Sequence, residues 1–200
     1  MSLILVSNTL FFNSFIMPIR LSQNDAMWKK HKLGTTTLGR EGCLVTGICI
    51  GHSKFFPYHV TRAPYLRPSE LADALKSCLN GDNEIIWQPA NEVFRQYGME
   101  MILRDYSYTN YDKRRVQGYC KSPEHFVLLE VLTREGQRHW IYCMGRSVLG
   151  WATMDTWDGK MLWKTVGYGG TYLYVRGYAV FRKYDKLKKM TNKNCTSLIG

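Results

Sequence analysis

Apolar positions along the chain change their spacing near residue 121. Before it the pattern is helical. Residues 43–51 form a small apolar run, CLVTGICIG, that suits a helix packed tightly in a core, where glycine and cysteine permit close approach. Residues 67–76 open with Pro68 early in the turn and set Leu71, Ala74 and Leu75 on one face, and residues 90–97 predict a further helix. After Lys121 the spacing is that of strands. Residues 125–132 predict a strand, 133–137 a turn, 140–144 the returning strand of a hairpin, and 151–155 a third strand closed by Asp158-Gly159. Residues 172–175 and 178–181 also have strand composition. Helices first and an antiparallel sheet second is the order of an α+β domain.

The chain has 200 residues, 45% of them hydrophobic and 14% aromatic, enough to bury one sizeable core. No apolar run approaches the roughly 20 residues that cross a bilayer as a helix. Residues 1–16 are apolar but lack a basic start and a small-residue cleavage site, so Met17 is expected to be the true start. The expected domain spans 17–184, and 185–200 is expected to be a flexible basic tail. That tail region accounts for much of the net charge of +11, because Arg182, Lys183, Lys186, Lys188, Lys189 and Lys193 are offset there only by Asp185. Six cysteines are scattered without a CxxC pair, which points to free thiols in a reducing compartment, and no Cys/His spacing resembles a zinc site. No cofactor is expected.

Three residues invite a chemical reading. Cys43 follows the Gly-rich turn 39–42 and opens the apolar helix, where the helix dipole favours a thiolate. His125 begins the most hydrophobic strand, and Asp155 ends a strand that would lie beside the hairpin. Singly, each has an ordinary structural explanation: a buried small residue, a hydrogen-bonded core histidine, a turn-forming aspartate. Their order, a thiol on an early helix with histidine and aspartate on later strands, is what thiol-based nucleophilic catalysis of the papain kind requires.

At this point the chain resembles a known family. Ser22-Gln23-Asn24-Asp25, Trp28, Leu33-Gly34, Thr37-Leu38-Gly39 and Gly42-Cys43 are similar to the opening of peptidase-C39-like domains, relatives of the bacteriocin leader peptidases in the papain-like clan. Pro68 with Glu70-Leu71, Ile86-Trp87, His125-Phe126-Val127 and Asp155-Thr156-Trp157-Asp158-Gly159 resemble the later features, in order, from about Leu21 to Phe181. The resemblance implies a papain-like fold, N-terminal helices packed on a C-terminal antiparallel sheet. It implies Cys43 as nucleophile, His125 as base, Asp155 as its orienting partner and Gln23 as oxyanion-hole donor. A bacterial or phage setting follows from the same likeness.

One departure is Thr156, where the family has proline; it loosens the expected turn and makes Asp158 a rival to Asp155. His139, on the returning strand, is the poorer base candidate, and His31, His52 and His59 read as surface or loop residues. The tyrosine-rich stretch 105–111 has no family counterpart. The expected function is hydrolysis of a peptide or amide bond in a peptide or protein substrate, for which the basic tail would suit a cell-wall peptide. The alternatives are a catalytically inactive papain-like peptide-binding domain and a basic nucleic-acid binder; acyl transfer would use the same residues.

Overall fold

The computed structural model describes residues 17–57, 65–147, 149–166 and 169–185. The expected leader 1–16, His59 and nearly all of the expected basic tail lie outside them. After a short β1–β2 hairpin (Lys32–Leu33 and Thr36–Thr37) come helices α1 (Leu38–Glu41), α2 (Cys43–Phe55), α3 (Pro68–Ala74) and α4 (Trp87–Gln96). Strand β3 (Met99–Asp105) and helix α5 (Asn110–Lys121) follow, then β4 (His125–Leu132), β5 (Arg138–Ser147), β6 (Gly150–Asp155), β7 (Met161–Leu162) and β8 (Tyr174–Lys183). Strands β3 to β8 form one antiparallel sheet in the order β3-β8-β4-β5-β6-β7. The fold is α+β, N-terminal helices packed on a six-stranded antiparallel sheet.

Alternation along the strands divides the core in two. Phe126, Leu128, Tyr142, Met154, Ala179 and Phe181 face the N-terminal helices. Val127, Leu129, Ile141, Cys143, Tyr178 and Val180 face the other way, onto α5 through Val116 and Cys120. Helix α2 lies closest to the sheet because Gly51 leaves room for it. A Cβ there would come within 2.3 Å of the Phe126 ring.

Several expectations are refined. Helix α2 runs one turn beyond residue 51, and α3 buries Leu71 and Ala72, with Ala74 only half-buried and Leu75 buried just past the helix end. Of the two strands expected at 172–175 and 178–181, residues 174–175 and 178–181 belong to one strand, β8, whose register against β4 shifts between Glu130 and Val131, while Tyr172 and Leu173 precede it. Strand β3 and helix α5 were not anticipated. The tyrosine-rich stretch joins them, and its Tyr108 packs on Trp151 and Tyr178 in the second core. His52 is not a loop residue: it sits on α2, its ring against Phe56 and its Nε2 3.2 Å from the Tyr97 carbonyl.

Candidate active site

Cys43 is the first residue of the 13-residue α2, whose aligned peptide dipoles place positive potential at the thiol. The approach is shaped by the preceding turn: Gly42 N–H donates to the Leu38 carbonyl and Thr46 N–H to that of Gly42. Beside the thiol stands His139, near the start of β5. The ring lines the same cleft as the Cys43 thiol and interacts with it, and its Nε2 lies 2.8 Å from Oδ1 of Asp155. With Nε2 committed to Asp155, Nδ1 is the nitrogen left for the thiol.

The β5–β6 ladder sets this contact. It pairs Ile141 with Asp155, and His139, two residues before Ile141, lies on the same face of the sheet. His139 and Asp155 are both buried. Burial alone would lower the basicity of His139, but its interactions with Asp155 and Cys43 outweigh that and raise the pKa to about 9. Burial would likewise raise Asp155, yet its bonds from His139, Tyr172 and the Trp157 N–H hold it below the usual carboxylate range. Of the two aspartates, Asp155 is the one hydrogen-bonded to His139. Asp158 is half-exposed and pairs with Lys160, 2.7 Å away.

The turn after Asp155 is not loosened by Thr156. That residue is fully buried, and its Oγ1 donates to the Trp140 carbonyl at 2.6 Å. Trp157 N–H donates to Asp155 Oδ1 at 2.9 Å, and Gly159 N–H to the Asp155 carbonyl at 2.8 Å.

Gln23 comes to the same place from the N-terminal segment. Its backbone N–H donates to the Thr156 carbonyl, and its Nε2 to the Gly39 carbonyl at 3.1 Å. One amide proton of Nε2 remains, on a side chain that borders the cleft beside Cys43.

The structure therefore brings Cys43, Asp155 and Gln23 together and does not bring His125 to them. The His125 carbonyl accepts from Lys54 Nζ at 2.6 Å, eleven residues beyond Cys43 on α2 and so about 16 Å along its axis. Its Nδ1 is 2.8 Å from Ser122 Oγ, and its ring packs on Tyr119. These contacts close the α5–β4 turn. His139, and not His125, is the histidine that shares the cleft with Cys43 and bonds to Asp155. The sequence carries a signal for this: His139-Trp140-Ile141 repeats the histidine, aromatic, β-branched order of His125-Phe126-Val127. Only His139 shares a strand pair with Asp155.

A cleft of about 860 Å³ is lined by Cys43 and His139 and also by Arg104 and Glu130. These last two form a buried ion pair, the guanidinium lying 4.0 Å from the Tyr106 ring centroid and 4.7 Å from that of Trp140. The pair owes its room to Gly177, opposite Glu130 on β8, where a Cβ would come within 2.8 Å of Arg104 Nη1.

Among the described residues no group of three or more His, Cys, Asp or Glu side chains is placed to hold a metal ion, and no helix is long and apolar enough to cross a membrane. The five described cysteines form no disulfide. No family model matches the chain, and no curated protein or solved structure matches it either.

Proposed function

We propose that this protein is a papain-like cysteine hydrolase of the peptidase-C39-like kind, cleaving a peptide or amide bond with Cys43, His139, Asp155 and Gln23. One observation carries the reading: the buried His139 imidazole bridges the Cys43 thiol at the head of α2 and the Asp155 carboxylate. A cysteine whose only role was packing would need neither the helix terminus nor the hydrogen-bonded imidazole. His125, the base implied by the resemblance, has no part in this mechanism.

In the proposed reaction His139 holds the Cys43 proton on Nδ1, and the thiolate sulfur adds to the substrate carbonyl carbon. The Cys43 backbone N–H and Gln23 Nε2 stabilise the oxyanion. The C–N bond then breaks as His139 returns its proton to the leaving amine, leaving a thioester. Water attacks the thioester, its proton passes to His139, and the carboxylic acid departs as the thiol is restored. Asp155 keeps the imidazole oriented and stabilises its charged form throughout. A cleft of about 860 Å³ is of the size that holds a peptide segment or small ligand.

The test is the pH dependence of Cys43 alkylation by iodoacetamide, read by peptide mass spectrometry in wild type, His139→Ala and His125→Ala. Rapid labelling well below the roughly 8.5 pKa of a free thiol is expected in wild type and His125→Ala, and is expected to disappear in His139→Ala. Labelling that follows an ordinary thiol in all three would sink the proposal and leave a peptide-binding domain as the better reading.

A further inference from the structure

Asp155 has two carboxylate oxygens, and the triad uses one. Oδ1 accepts from His139 Nε2 and from the Trp157 N–H. Oδ2 accepts from the hydroxyl of Tyr172, a residue that pattern reading placed only in a strand. The same tyrosine ring lies on the His139 imidazole, with centroids 5.6 Å apart and planes 28° from parallel.

The segment carrying Tyr172 is clamped on both sides. Tyr172 N–H donates to the Thr165 carbonyl at 2.9 Å and Leu173 N–H to that of Leu132 at 3.0 Å. Thr165 is itself buried, its Oγ1 donating to the Trp151 carbonyl at 2.6 Å, and Arg134 Nη2 donates to the Gly170 carbonyl at 2.6 Å. Tyr172 thus sits at a fixed height above both members of the pair.

We propose that Tyr172 is a positioning residue of the candidate site, holding the Asp155 carboxylate in the plane of the His139 ring and drawing off part of its charge. This inference rests on the proposed hydrolase reading. Without the phenol, Oδ2 would be a buried acceptor with no partner, and the carboxylate would be free to turn about its Cβ–Cγ bond. With it, the negative charge is shared between two donors, so the imidazolium is stabilised but still releases its proton to a leaving group. The ring stack sets the tilt at which Nδ1 meets the thiol. Tyr172 acts through Asp155 and His139 and takes no proton itself; burial and the neighbouring carboxylate both push its own ionisation upward.

Tyr172→Phe keeps the stack and removes the donor. In the full chain with isotope-labelled histidine, the His139 midpoint is expected to move upward by at least a few tenths of a unit and up to about one, the reach of one hydrogen bond to a charged group. The iodoacetamide rate at Cys43 near neutral pH is expected to rise, by no more than about tenfold, because a more stable imidazolium favours the thiolate. Repeated in an Asp155→Asn background, Tyr172→Phe is expected to have no further effect on labelling. A His139 midpoint and labelling rate equal to wild type, with only the melting temperature lowered, would make Tyr172 a packing residue and overturn the proposal. A full-sized effect in the Asp155→Asn background would overturn it too. If Tyr172→Phe does not fold, wild type decides: a slowly exchanging hydroxyl proton with a nuclear Overhauser contact to the His139 ring is expected, and its absence counts against the proposal. The histidine titration needs no substrate, so a failure of the hydrolase reading, seen as ordinary thiol reactivity in wild type, is distinguishable from a failure of this one.

Discussion

The backbone N–H of Gln23 donates to the carbonyl oxygen of Thr156 across 2.8 Å, joining the N-terminal segment to the turn that holds Asp155. Ser22 Oγ and Asn24 Nδ2 both donate to the next carbonyl, that of Trp157, at 2.6 and 3.0 Å. Gln23 and Asp155 are therefore carried on one stitched unit, although 132 positions separate them in the chain.

Gln23→Ala is expected to lower turnover of a cleaved substrate by about 10² to 10³, the usual consequence of losing one oxyanion donor. Cys43 alkylation at low pH should be unchanged, because iodoacetamide develops no oxyanion. Parallel loss of both would place Gln23 in the scaffold and remove it from the chemistry.

Thr156→Val is expected to destabilise the protein by about 1–3 kcal/mol, measured by urea unfolding, since it leaves the buried Trp140 carbonyl without its donor while keeping the side-chain shape. The methyl group retained by valine preserves the contact with α2, where a Cβ at Gly47 would lie 3.4 Å from Thr156 Cγ2.

The His139–Asp155 pair predicts a pH window for stability. The folded pKa of His139, about 9, lies above its ordinary 6.5, so its contribution is full below about pH 6.5 and is lost as pH rises through about 9. Asp155 is depressed, so its contribution is present above the ordinary carboxylate range and is lost as pH falls through its folded value. The melting-temperature difference between wild type and Asp155→Asn should be largest near pH 6 and shrink toward pH 10. A difference independent of pH between those values would mean that His139 is neutral in the folded protein.

Glu130→Ala is expected to cost about 3–5 kcal/mol, because it leaves Arg104 buried without its carboxylate. Gly177→Ala presses on the same pair, its Cβ falling 2.5 Å from the Asp105 carbonyl oxygen and 2.8 Å from Arg104 Nη1, and should cost about 1–3 kcal/mol. Both are read by urea unfolding. If Glu130→Ala unfolds with the wild-type midpoint, the ion pair does not hold this part of the cleft together.

Much of the fold is legible from pattern alone. The run after Gly42 reads as a close-packed helix because glycine and cysteine recur where α2 meets Phe126 and Leu128. The β4–β5 hairpin reads from two apolar runs around Thr133 to Gln137, and strand β6 from residues 151–155. Strand β3 does not, because charged Glu100, Arg104 and Asp105 interrupt its alternation; they are accommodated by partners on other elements, Arg182 for Glu100 and Glu130 for Arg104. Helix α5 is obscured in the same way, mostly polar except for the Val116 and Cys120 that it buries.

Singly, Cys43 and Asp155 each have an ordinary structural explanation, and it is the resemblance of their neighbouring residues to a known family's motifs, in order, that singles them out and adds Gln23. The choice between His125 and His139 is not written there. Both head a histidine–aromatic–aliphatic triplet on adjacent strands, and only the antiparallel ladder, which pairs Ile141 with Asp155, puts His139 beside the carboxylate and leaves His125 at the far end of α2. Tyr172 is more distant still from any local signal. Its hydroxyl reaches Asp155 because the segment before β8 folds back over the sheet. Spacing along a chain reports what one element presents, whereas strand register and chain return decide which elements meet, and those depend on packing between residues far apart in sequence.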